Sequence, residues 1–256
     1  GIEWETTGRA NMGIDLSLFN ERVSVSVDAY SAITNNLLIQ KDFQDVAGLA
    51  KYWTNNGRLS NKGYEISMNA KVLNLRNFQW ELGASVGHYK NEIISLPDQA
   101  AIITSIPGGE VYTGVGTAAS VFYGYKTLGV YATTADATAD GLKMVNSTGT
   151  YSSFGAGDVI FEDKVKDGII DEKDKQIIGD PNPEYYGTIN NKFTYKNLTF
   201  SALFTYSYGN DIYNYQRSLL ESAKDYSNQT TALLSRWTSE GQNTLQPKAV
   251  YGDPMG

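Results

Sequence analysis

Three times in this chain, two stretches that alternate apolar and polar side chains follow one another across a short turn. That pattern confines the fold to antiparallel β-sheet. In Gly13–Phe19, Ile14, Leu16 and Leu18 oppose Asp15 and Ser17; in Glu21–Thr34, Val23, Val25, Val27 and Ala29 oppose Ser24, Ser26, Asp28 and Tyr30. Asn20 and Glu21 lie between them at hairpin spacing. Tyr64, Ile66, Met68, Ala70 and Val72 alternate in the same way, and after a turn at Asn74–Asn77 so do Phe78, Trp80, Leu82, Ala84 and Val86. The third pair, Tyr186–Lys196 and Leu198–Tyr208, meets at Lys196-Asn197. Successive strand residues point to opposite faces, so each hairpin has one apolar face and one polar face.

These strands run to about 10–14 residues, against a soluble mode of about 5–6, and a tilted strand needs about 9–11 to cross a bilayer. The connections are short on one side and long on the other, where Asn35–Asn61 and Glu92–Tyr185 are the long links. Outer-membrane barrels carry this asymmetry, although a soluble β-sandwich fits the alternation equally well. Apolar runs are too short for a membrane helix, which leaves a strand-built span open. Three short turns on one rim require an even number of crossings between them. Two extra crossings within Glu92–Tyr185 would satisfy this but demand a long loop on the short-turn side, so one excursion is expected, with Val121–Tyr131 a strand that pairs locally, against Gly157–Phe161. The tail reads differently: Tyr213–Lys224 and Asn228–Trp237 have helical spacing, Asn228 is a candidate N-cap, and Gly241–Pro254 is turn-rich. Residues 211–256 thus read as helical and irregular loop. Even eight strands make only a small barrel, so six belong to something larger.

Composition excludes several functions. A net charge of −7, from 21 basic and 28 acidic residues, argues against nucleic acid as a partner. With no Cys and a single His, the chain holds no disulfide, no Cys-based metal site and no Ser-His-Asp set. No enzyme activity is expected.

One acidic segment has the spacing of an EF-hand loop. Asp163, Asp167, Asp171 and Asp174 fall at its positions 1, 5, 9 and 12, with Gly168 at position 6 and the Ile169 carbonyl at position 7. Calcium takes six to eight hard oxygens, so these five residues are the candidate calcium ligands. Val165 stands at position 3, where an oxygen ligand belongs, and Asp174 is shorter than the customary bidentate Glu. No cofactor is required, and calcium is the one candidate ion. The competing reading is a solvated acidic turn that keeps the shape without the ion.

The ordered series WETT at Trp4–Thr7, NGRLSNKGYEISMNA at Asn56–Ala70, VFYGYKTLGVY at Val121–Tyr131, GDVIFEDKVKDGIIDEKDKQIIGDPNPEYYG at Gly157–Gly187 and YSYGNDIYN at Tyr206–Asn214 resembles the C-terminal barrel region of SusC/RagA-type TonB-dependent outer-membrane transporters. The resemblance implies an all-β fold: an antiparallel transmembrane β-barrel segment, about six long strands of a 22-stranded barrel, with long extracellular loops and short loop helices. It places the chain in the cell outer membrane, in contact with lipid. It implies import of a glycan or peptide, a SusD-like lipoprotein as partner, and TonB acting through parts with no counterpart in these 256 residues. The TonB box, the plug, most of the barrel and its final strands are among those parts. Loop aromatics suited to stacking on substrate are Tyr52, Trp53, Tyr112, Tyr151, Phe154, Tyr185 and Tyr186. The alternative is a soluble, calcium-stabilised carbohydrate-binding or adhesive β-domain.

Overall fold

A computed structural model describes residues 2–42, 51–145 and 149–252. The strands are β1 (Thr6–Leu18), β2 (Val23–Asp42), β3 (Lys51–Asn74), β4 (Phe78–Ser95), β5 (Ile102–Ile106), β6 (Gly109–Thr113), β7 (Val121–Gly124), β8 (Thr127–Val130), β9 (Lys143–Val145), β10 (Tyr151–Ser153), β11 (Val159–Phe161), β12 (Ile169–Ile170), β13 (Gln176–Gly179), β14 (Tyr185–Tyr195) and β15 (Leu198–Tyr208). Helices are α1 (Thr134–Asp140) and α2 (Tyr215–Glu221). The chain divides into two compact units, the first comprising Gly1–Ile103, Tyr112–Val121 and Gly179–Asp211, the second the remainder.

The first unit is built on a six-stranded antiparallel sheet in the order β1-β2-β3-β4-β14-β15. All three expected hairpins form, and β4 pairs directly with β14, so the residues between them are one excursion. The three turns share one rim: Lys71 N–H donates to the Arg22 carbonyl, and Lys196 N–H to that of Asn77. The first turn is wider than its sequence implies. Phe19, Asn20 and Glu21 all take left-handed φ, at 55°, 54° and 62°, which carries the chain through four residues rather than two.

The long link expected at Asn35–Asn61 is corrected, because β2 and β3 run on as one ladder to Asp42 and Lys51. Register shifts flank Leu37, and Asn36 has φ 56°. A bulge adds a residue to one strand and resets the alternation, so the period-two signal ends where the hydrogen bonding does not. Likewise β1 begins at Thr6, since Gly8, Ala10 and Asn11 pair with β2 without supplying an apolar stripe.

The second unit holds the core of the excursion. Tyr131, Ala137, Leu142, Phe154 and Ile170 are buried together, with Phe161 and Met144 against them. The stretch Val121–Tyr131 is two strands rather than one, and its second half, β8, pairs with β11 as expected. In this unit α1 is capped at both ends, by the Thr133 side chain accepting from Asp136 N–H and by Gly141 at φ 69°. The Glu240 carboxylate accepts from Thr134 N–H, and Trp237 Nε1 donates to the Ala132 carbonyl at 3.0 Å. In the tail, α2 is capped by Asn214, and a 3-10 turn covers Thr231–Ser235 with Thr230 as its cap. These elements are shorter than the expected helices, and Asn228 caps neither.

Candidate functional site

Antiparallel partners share a face, so the register sorts every side chain of the large sheet. Leu16, Val25, Met68, Ala84, Ile189 and Phe204 form one row across all six strands. The rows beside it are Ile14-Val27-Ile66-Val86-Gly187-Tyr206 and Leu18-Val23-Ala70-Leu82-Asn191-Ala202. None of these residues is charged. The amide in the set, Asn191, accepts from Trp80 Nε1 at 3.2 Å.

Aromatic rows bound this band on both sides. Towards the short turns, Phe78 and Trp80 stack on Phe193, which stacks on Phe200, with centroid distances of 6.4, 5.6 and 6.4 Å. Towards the long connections, His88 lies between Tyr64 and Tyr185, each 5.4 Å away, and Tyr208 is the next partner of Tyr185. Large side chains on this face stand open, Phe200 at 64% and Phe204 at 62% exposure. A water-facing sheet seldom carries so extended an apolar surface.

The opposite face is polar. Its central row is Asp15-Ser26-Ser67-Ser85-Thr188-Thr205, with Ser26 Oγ donating to Asp15 at 2.6 Å and Ser85 bonded to Thr188 at 2.9 Å. The row beside it, Ser17-Ser24-Asn69-Gly83-Asn190-Leu203, ends on an apolar residue. Tyr186 Oη donates to Glu65 Oε1 at 2.9 Å, reaching it by lying across Gly87, and Tyr89 packs edge-on against Tyr186 at 5.9 Å. The Arg9 guanidinium sits 4.8 Å above the Tyr30 ring. A concavity of about 200 Å³ on this face is lined by Ser26, Asp28, Glu65, Ser85 and Tyr186. Tyr30 and Tyr89 were not singled out from sequence, although the alternation already put them on this face.

Gly87 makes the Tyr186 arrangement possible, because an added Cβ would lie 2.5 Å from the Tyr186 ring. Gly87→Ala should therefore destabilise the intact protein by about 1–3 kcal/mol through overpacking. Gly87→Ala/Tyr186→Ser should recover most of that loss. Denaturant unfolding of both variants is the check, and equal destabilisation would remove the steric account.

The candidate aromatics are distributed over both units. Tyr52 and Trp53 line a concavity of about 390 Å³ beside Glu3 and Asn55. Buried Asn55 ties this corner together, accepting from Glu3 N–H and donating to the Glu3 and Asn36 carbonyls. Tyr185 and Tyr186 point to opposite faces, Tyr185 into the aromatic row and Tyr186 over the polar concavity. Tyr112 is partly buried in β6, and Tyr151 is exposed on β10. Phe154 is a core residue, 6% exposed and packed on Tyr131 and Phe161, so it offers no stacking surface.

The acidic loop closes on a carboxylate. Asp174 is 1% exposed; its Oδ1 accepts from Lys164 and Val165 N–H at 3.0 and 3.2 Å, and its Oδ2 from Asp171 N–H at 2.9 Å. Asp163 accepts from Lys166 and Gly168 N–H, Asp167 from Ile169 N–H, and Asp171 from Lys173 N–H. That last bond and the Lys173 ammonium hold the Asp171 carboxyl below its usual range against some desolvation. Among the described residues no three acidic or histidine side chains are grouped to hold a metal ion. The carboxylates of Asp163, Asp167, Asp171 and Asp174 are thus engaged by backbone N–H donors, and Ile169 lies in the short strand β12. Backbone donors gather around an anion where an EF-hand gathers oxygens around a cation. Next to the loop, Lys175 bridges Glu110 and Glu172 at 2.9 Å each; burial opposes its charge, but the two carboxylates outweigh burial and raise its pKa.

No protein-family profile matches the chain. It is 32% identical over 254 residues to the TonB-dependent receptor P3 of Formosa agariphila, covering 96% of the chain and 24% of that receptor. It is 31% identical to TonB-dependent receptor P39 of the same organism, covering 96% and 26% of the two chains. Identity to the TonB-dependent receptor SusC of Bacteroides thetaiotaomicron is 28%, covering 83% and 20%. The chain thus spans about a quarter of the length of the curated relatives it matches. Among solved structures it superimposes on the RagAB peptide importer in its closed-closed state with a TM-score of 0.72 at 20% identity, over 98% of this chain and 26% of that one.

Proposed function

Because the chain belongs to the SusC/RagA-type TonB-dependent receptors of the outer membrane, we propose that its large sheet is a stretch of barrel wall in a nutrient importer. The apolar face meets lipid and the polar face lines the interior. The charge-free band between aromatic rows carries this reading. From Phe78 to His88 and from Tyr195 to Tyr185 is ten residues, about 33 Å along a strand and about 25 Å after a barrel tilt of about 40°. Outer-membrane barrels carry an apolar band of about that height between aromatic girdles. β2 and β3, at 20 and 24 residues, exceed the roughly 9–11 needed to cross, so their far ends stand outside the membrane. The whole barrel has about 22 strands, of which these are six.

In this reading the excursion and the tail are extracellular loops that face a SusD-like lipoprotein, and TonB drives import through parts of the receptor beyond these residues. The substrate is a glycan or a peptide. Tyr52 and Trp53, which border a polar concavity, and Tyr186 on the interior face are the aromatics placed to meet it. Calcium forms no part of the proposal, since the loop carboxylates are engaged by N–H donors. The test is deletion of the gene for the full receptor, followed by growth on single glycans and single peptides as sole carbon source. Loss of growth on one class, restored by the receptor but not by a form lacking its TonB-interacting segment, is expected. Undiminished growth on every substrate would remove the import reading.

A further inference from the structure

We infer that Lys62 and Lys90 form a docking point for a phosphate-bearing lipid headgroup in the outer leaflet, an inference that rests on the apolar face meeting lipid. The two lysines are direct register partners on β3 and β4, in the row Ala10-Ser31-Lys62-Lys90. This row lies on the apolar face, two residues beyond the aromatic row of Tyr64 and His88 and on the side of the long connections. Two residues advance a strand by about 6.6 Å, or about 5 Å along the membrane normal after tilt. The polar layer on each side of a bilayer is about 5–7 Å thick. The ammonium groups are thus held at headgroup depth, where the apolar band has ended.

The charge arrangement favours an anion there. Like charges directly opposite each other across strands repel. The described carboxylate paired with them is Glu92, 2.9 Å from Lys90, which leaves the trio at net +1. The Lys90 side chain remains 70% exposed, and Lys62 is exposed. Basic residues beside a membrane span attract anionic lipid, each by roughly fivefold in local occupancy.

The test uses the full receptor in lipid nanodiscs with a fluorophore on Ser31→Cys, the neighbour of Lys62 in this row. Quenching is compared for headgroup-quencher phosphatidylglycerol and headgroup-quencher phosphatidylcholine in a phosphatidylcholine bilayer. The native trio, at net +1, should enrich phosphatidylglycerol by about fivefold, Lys62→Gln/Lys90→Gln should abolish the preference, and Glu92→Gln should increase it. Persistence of the preference in the Gln double variant overturns the inference, as does its loss on adding inorganic phosphate, which would mark a site for the free anion. Absence of quenching by either lipid would instead remove the membrane-facing reading, and the inference with it.

Discussion

Val25→Arg in the intact receptor is expected to lower barrel stability by about 2–4 kcal/mol and to leave much of the protein unassembled. Val25 pairs with Leu16 and Met68 in the row that contains Ala84, which is six residues from Phe78 and four from His88. That row lies near the middle of the apolar band, where an arginine on a lipid-facing strand position costs that amount. The adjacent position supplies the control. Ser24→Arg projects to the polar face, beside Asn69, Lys71 and Glu81 in a concavity of about 210 Å³, and should assemble normally. Heat-modifiable mobility and denaturant unfolding in a bilayer measure both. If the two variants behave alike, the sheet does not have one lipid face and one interior face.

Asp174→Ala should open the acidic loop. The carboxylate is buried and accepts from three backbone N–H groups. Hydrogen bonds to a charged partner contribute about 1.5–3 kcal/mol each, and buried donors left unsatisfied carry a similar penalty. A local destabilisation of about 3 kcal/mol or more follows, read as faster amide exchange at Lys164, Val165 and Asp171 in the intact receptor. Asp174→Asn, which retains one acceptor oxygen, should fall between. Asp167→Asn should change little, because Asp167 is exposed and caps Ile169 alone. Calcium at millimolar concentration should not restore protection to the Ala variant. Unchanged exchange in Asp174→Ala would show that the loop is held by its surroundings instead.

Much of the large sheet was legible in the residues. Period-two alternation marked all six long strands, and their short turns paired them, because one residue of slip would send a whole apolar stripe to the wrong face. The same alternation separates Tyr185 from Tyr186 and puts Tyr30 and Tyr89 on the polar face, a consequence that grouping residues by chemistry alone overlooks. It fell silent at the ends of β2 and β3, where bulges reset the period while the ladder continued.

Amino-acid order alone therefore determined which residues share a face within each hairpin, since that depends on local period and turn length. Joining β4 to β14 across the excursion, and so aligning Tyr64, His88 and Tyr185 into one row, needed long-range register that no local pattern encodes. The acidic loop and Phe154 depended on tertiary structure for the same reason. EF-hand spacing specifies where carboxylates fall along the chain, but only the fold puts Asp174 in a buried position among backbone donors. Only the packing of Phe154 against Tyr131 and Phe161 makes an aromatic that could have met substrate into part of a core.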